Sequence, residues 1–159
     1  MKATSLFVPG VFLIAIAAIG QDASPLAGYD GIGVSVVVFG NAYDQIAGEP
    51  ITSSVLADLK RARIEEQMWA TLQYPFLQVS VNVQLYADAK ELYLFNVSLE
   101  LMDTARLSSP IPFGRSAPVI VWQQSILGAF GLSGLQEVIE DAVDALVGWF
   151  LDDYIEANP

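Results

Sequence analysis

Seven carboxylates crowd the C-terminal stretch of this chain, Glu137, Glu140, Asp141, Asp144, Asp152, Asp153 and Glu156, with no basic residue among them. At helical spacing the pairs 137/141, 140/144 and 152/156 fall one turn apart. Paired carboxylates suit acid–base work or the binding of a hard cation such as calcium. The spacing matches no calcium loop, and carboxylates along one helix face mostly point into water, so a solvated acidic face is the plainer reading. Like charges one turn apart cost about 0.2–0.5 kcal/mol each, and Asp152, Asp153 and Glu156 also oppose the helix dipole. Arg106, Arg115 or a partner protein are the candidates to offset them.

Two other patterns bear on chemistry. Glycines at 128, 131 and 134 ahead of a helical stretch resemble a phosphate cradle, but there is no Walker lysine, and Glu137, Glu140 and Asp141 just downstream repel phosphate. A strand-to-helix turn fits better. Gln78, Ser80, Asn82, Gln84, Asn96, Ser98 and Glu100, joined from the fourth strand by Gln123 or Gln124 and an exposed Trp122, read as an amide and hydroxyl face able to hold a sugar or a peptide; ordinary solvated sheet faces have the same composition. The chain has no histidine and no cysteine. Disulfides, thiolate chemistry, histidine-dependent triads and histidine or cysteine zinc sites are thereby excluded. The expectation is a protein that is not an enzyme, with no catalytic residues, cofactor or metal ligands.

The N-terminus reads as an export leader. Lys2 is followed by an apolar or small run from Leu6 to Gly20, broken at Pro9-Gly10 and too short to span a bilayer core of roughly 20 residues. Cleavage is expected near Gly20/Gln21, with retention as an anchor the alternative. Loss of Lys2 leaves six basic against 18 acidic residues, a net charge of −12 compared with −11 for the whole chain. A surface so poor in cations neither neutralises phosphates nor adheres to anionic lipid, which argues against nucleic-acid and membrane-surface partners. Beyond the leader no apolar run is long enough for a membrane span. With 53% hydrophobic residues and a mean hydropathy of +0.46, the remainder can bury a core.

The elements that must position these residues follow from periodicity. Residues 1–20 are the leader, 21–31 a flexible lead-in, and 32–159 a single domain. Ile32–Phe39, dense in β-branched residues, reads as a buried strand. Thr52, Ser53 and Ser54 offer caps for a helix running to about Ala70. Leu77, Val79, Val81, Val83 and Leu85 alternate with Gln78, Ser80, Asn82 and Gln84, and Tyr93 to Leu101 alternate likewise, predicting a hairpin with one wet face. A proline-rich loop spans Asp103–Pro118, and Val119–Leu127 is a fourth strand. Ser133 and Gln136 then form a capping box for a long helix, Leu135 to about Glu156. The order β-α-β-β-β-α predicts an α+β two-layer sandwich, a four-stranded, mostly antiparallel sheet with two helices on one face.

Leu77–Val83, Arg106 after a hydrophobic strand, Trp122-Gln123 feeding a glycine-containing loop, and the terminal Phe150–Pro159 segment together resemble a group of uncharacterised secreted or periplasmic bacterial proteins. The element order is similar to that of small envelope-assembly lipoproteins of the lipopolysaccharide-assembly type, without their lipidated cysteine. The resemblance implies a periplasmic or secreted binding or assembly domain acting through a sheet edge or the polar sheet face, with an envelope protein or a saccharide as partner. The alternatives are a small-ligand carrier with a helix–sheet pocket and a carboxylate-based hydrolase.

Overall fold

A computed structural model of the chain describes residues 12–13, 26–29, 31–67, 75–86, 91–106 and 116–159. Six strands, β1 (Phe12–Leu13), β2 (Gly31–Phe39), β3 (Glu65–Glu66), β4 (Phe76–Leu85), β5 (Leu92–Arg106) and β6 (Ser116–Gly131), accompany helices α1 (Gly48–Arg61) and α2 (Leu135–Ala157). They lie in the order β1-β6-β5-β4-β2-β3. β4, β5 and β6 form an antiparallel meander, whereas β2 runs parallel to β4. A parallel pair needs a long crossover, and α1 lies within it. The α+β class with two helices therefore holds. The sheet differs from the expectation: it is mixed, and two-residue strands extend it at both edges.

Period-2 patterning places Leu77, Val79, Val81 and Val83 of β4 and Val97, Leu99 and Leu101 of β5 on one face, all fully buried. Both helices cover that face, α1 with Ile51, Val55 and Leu59 and α2 with Leu135, Ile139, Val143, Leu146 and Phe150. The β4–β5 hairpin has the expected pairing, with Val81 opposite Val97 and Ser80 opposite Ser98. Its turn, 87–90, lies outside the described residues.

Four boundaries move, each for a local reason. Helix α1 starts at Gly48 with Pro50 in its first turn, where a missing N–H costs nothing. The hydroxyls read as caps are used elsewhere: Thr52 donates to the Gly48 carbonyl at 3.0 Å and Ser54 to Asp144 at 3.0 Å. The cap comes from α2, because Gln136 accepts from the Ala47 N–H at 2.9 Å and donates to the Ala47 carbonyl at 3.2 Å. That engagement also rules out the expected Ser133/Gln136 capping box; Gly134 is the residue preceding α2, with φ +90° and no side-chain cap.

Helix α1 ends at Arg61 rather than near Ala70. Ile64 N–H bonds back to Leu59 and Arg63 N–H to Lys60, a Schellman closure in which Arg63, at φ +62°, takes the left-handed position usually given to glycine. Residues 68–74, including Trp69, lie outside the described set. The loop expected over Asp103–Pro118 is strand at both its ends, 103–106 and 116–118, for β5 and β6 pair as far as Arg106 opposite Ser116, and residues 107–115 lie outside the described residues. Finally, β6 passes through Gly128 without a break. The Phe95 ring lies over that position, where a Cβ would come within 2.4 Å of it.

In the stretch 21–31 read as a flexible lead-in, residues 26–29 are docked. Leu26 is buried, and the end of α2 holds its neighbours: Asn158 donates to the Leu26 carbonyl and accepts from the Gly28 N–H, both at 2.9 Å, and the Tyr154 hydroxyl donates to the Tyr29 carbonyl at 2.7 Å. The Tyr29 hydroxyl donates to Asp103 at 2.8 Å. Burial first, then that carboxylate, keeps the hydroxyl protonated well above the ordinary tyrosine range. Phe12 and Leu13, inside the segment read as a leader, pair with Leu127 and Ile126 of β6.

Candidate functional site

The helices cover one face of the sheet, and the side chains that alternate onto the other face form three rows across β2, β4, β5 and β6. Register sets Ser35, Gln78, Glu100 and Gln123 in one row. Val37, Ser80, Ser98 and Ser125 form the next, and Phe39, Asn82, Asn96 and Leu127 the third. Seven of the expected residues, Gln78, Ser80, Asn82, Asn96, Ser98 and Gln123 in these rows and Gln84 just beyond them, are thus brought to one surface. Of the twelve side chains in the rows, Glu100 alone is ionisable.

The polar side chains are partly satisfied among themselves. Gln78 donates to Ser80 at 3.1 Å, Gln84 to Asn82 at 2.9 Å and Gln123 to Glu100 at 2.9 Å. Those bonds fix the amide orientations and leave other lone pairs and N–H groups turned outward. Apolar side chains stand within the rows and beside them: Val37, Phe39 and Leu127 in the rows, and Leu94 on β5 and Ile120 on β6 next to them, are each between 39% and 52% exposed. Sequence reading missed Ser35, Val37 and Phe39 because the near-continuous apolar run of β2 hides its alternation. It missed Ser125 because nothing local marks that serine as standing opposite Ser98.

Trp122 is not on this surface. It stands opposite Leu101, on the helix side of the sheet, and is 8% exposed. Its indole N–H donates to Asp153 at 2.8 Å, and its ring meets Phe150 edge-on at 5.3 Å. Alternation forces this, since Gln123 occupies the open face and its neighbour must point the other way. Gln124, opposite Leu99, also faces the helices.

Three of the seven acidic residues of α2 accept from neutral donors. Glu140 accepts from Gln136 at 2.7 Å, Asp144 from Ser54 and Asp153 from Trp122. Among the described residues no three carboxylates converge to hold a metal ion. The side chains of Arg106 and Arg115 lie outside the described residues. Of the three glycines expected to form a strand-to-helix turn, only Gly134 lies in it; Gly128 and Gly131 belong to β6. An open cleft of about 650 Å³ at the C-terminal end of α1 is lined by Leu56, Leu59, Lys60, Arg63, Glu65 and Glu66, cations and carboxylates in equal number.

No protein-family model matches the chain, and no curated protein matches it. Among solved structures, it is similar to a PelC variant dodecamer from Paraburkholderia phytofirmans, with 17% identity, a TM-score of 0.47, and coverage of 88% of this chain and 96% of that one.

Proposed function

We propose that the chain is a non-enzymatic binding or assembly module, exported to the bacterial periplasm or exterior, that engages an envelope partner protein through its open sheet face. One observation carries the reading. In a chain of net charge −11, twelve side chains spread across four strands include a single ionisable group and three exposed apolar ones, Val37, Phe39 and Leu127, with Leu94 and Ile120 exposed beside them. Depletion of charge together with exposed apolar side chains sets this face apart from the rest of an acidic surface and is a feature it shares with interface cores. A saccharide is the second partner class, favoured by Phe39 standing beside Asn82, with Asn96 next in the row.

The test is affinity capture from envelope extracts with the chain and with Ser98→Arg, which sets a long cation in the middle of the central row. The expected result is a reproducible envelope protein retained by the chain and reduced at least tenfold by the substitution, a change of about 1.4 kcal/mol. Equal recovery by both, or none by either, overturns the protein-partner reading. Titration of Phe39→Ala with envelope oligosaccharides then decides the second class.

Export rests on the leader. N-terminal sequencing of the protein recovered from the envelope fraction is expected to begin at Gln21. A chain that stays in the cytoplasmic fraction overturns the localisation, and one recovered from membranes with its leader intact establishes the anchor.

A further inference from the structure

We propose that one end of the sheet is a membrane-contact surface, seated by exposed apolar and tyrosine side chains at the headgroup–acyl boundary of a zwitterionic phospholipid bilayer. It is distinct from the open-face partner site and rests on the reading of the N-terminus as an export leader.

Strand directions define the end. β2, β4 and β6 run the same way and β5 runs against them, so the last residues of β2, β4 and β6 meet the first residues of β5. The connections are pinned there: Ala42 N–H donates to the Val83 carbonyl, Leu85 N–H to the Asn41 side chain and Tyr86 N–H to the Leu92 carbonyl. Ten large apolar or aromatic side chains are exposed among the described residues, and six of them, Phe39, Tyr43, Leu85, Tyr86, Leu94 and Leu132, fall at this end. Single exposures scattered over a surface need no explanation, whereas a concentration of this kind marks a contact with a protein or a membrane. Tyr43, at 59%, is the most exposed of the ten. A tyrosine joins an apolar ring to a polar hydroxyl and suits a boundary between hydrocarbon and water.

The leader selects lipid as the occupant. β1 runs antiparallel to β6, so its Phe12 end points to the Gly131 end of β6, which is this same end of the sheet. The apolar run that begins at Leu6, the part of the chain that meets a membrane during export, is therefore joined to the fold where the exposed side chains lie.

Charge selects the kind of lipid. Lys60, Arg61 and Arg63 close α1 at the opposite end of the sheet. Asp153 and Tyr154, bonded to Trp122 and Tyr29, place the last turns of α2 there too. Asp44, Glu91 and Glu137 stand near the apolar end, and among the described residues no lysine or arginine does. Those carboxylates, like the net charge of −11, keep the surface off anionic lipid. They do not oppose an apolar contact with a neutral headgroup layer.

The chain has no cysteine, so a single one reports position. Full chains carrying Leu85→Cys or, at the opposite end, Ile155→Cys are labelled with a polarity-sensitive dye and mixed with phosphatidylcholine vesicles. The label at 85 is expected to shift to the blue and the label at 155 to stay unchanged. Co-sedimentation of the full chain with the same vesicles is expected to be insensitive to salt and to fall several-fold in a chain with both Leu85→Asp and Leu132→Asp. These two side chains are 43% and 44% exposed, so the core is left intact. The leader is present throughout, so binding that survives the double substitution unchanged belongs to the leader and overturns the proposal. Absence of binding, or a blue shift at both positions, overturns it as well. A chain that stays in the cytoplasmic fraction overturns the leader reading, whereas an unshifted label at 85 overturns the contact surface, so the two failures are told apart.

Discussion

Phe150→Ala is expected to destabilise the domain by about 3–5 kcal/mol, the cost of removing a large buried aromatic ring together with the cavity it leaves. Phe150 is fully buried, meets Trp122 edge-on at 5.3 Å and lies 5.9 Å from the Tyr154 ring. It thereby joins α2 to β6 at the place where Trp122 bonds Asp153 and where Tyr154 holds residue 29. Domains of this size have only about 5–15 kcal/mol of total stability, so the substitution takes roughly a fifth of the reserve or more. Urea denaturation followed by circular dichroism measures it as a lowered midpoint at unchanged slope. A change smaller than about 0.5 kcal/mol, the level of a surface substitution, would mean that α2 does not dock on β6 through this ring.

The second large effect is expected at Gly40. Its φ of +113° is one that side-chain-bearing residues rarely adopt, and a Cβ there would stand 2.1 Å from the Val83 carbonyl oxygen. The close approach exists because β2 ends here and the chain is tied down onto β4 at once. Ala42 N–H donates to that same Val83 carbonyl at 3.3 Å, and Leu85 N–H donates to the Asn41 side chain at 2.7 Å. Gly40→Ala must move backbone against backbone, and a forced backbone conformation of this kind costs roughly 1–3 kcal/mol before the clash is added. The expected result is a loss at the top of that range, with faster amide exchange at Val37 and Phe39, whose N–H groups face β4. Gly148, in the middle of α2 with nothing within 4 Å of its Cβ position, supplies the opposite sign. Gly148→Ala should gain up to about 1 kcal/mol in the same assay. A loss at Gly148, or neutrality at Gly40, would contradict the backbone described here.

The open face was legible because two strands alternate strictly. Gln78, Ser80, Asn82 and Gln84 can all be wet only if Leu77, Val79, Val81 and Val83 are all buried, and the β5 residues follow the same rule. Trp122 was misplaced because β6 begins with a continuous apolar run, where a single-strand pattern does not say which neighbour faces in. The Leu101/Met102 register shift in β5–β6 pairing lies beside it and adds to the ambiguity. Charge depletion was visible only in part, since Ser35, Val37 and Phe39 join the face through pairing with β4.

Local periodicity was enough to dictate the α+β class, the wet and dry sides of β4 and β5, and the long acidic helix, because spacings of two and 3.6 residues are properties of neighbours in the chain. It left open the parallel placement of β2 beside β4, the capping of α1 by Gln136, and the docking of residues 26–29 on the end of α2. Each of these depends on groups dozens of residues apart, whose meeting is decided by which surfaces remain to be buried and which backbone groups remain to be paired once the local elements have formed.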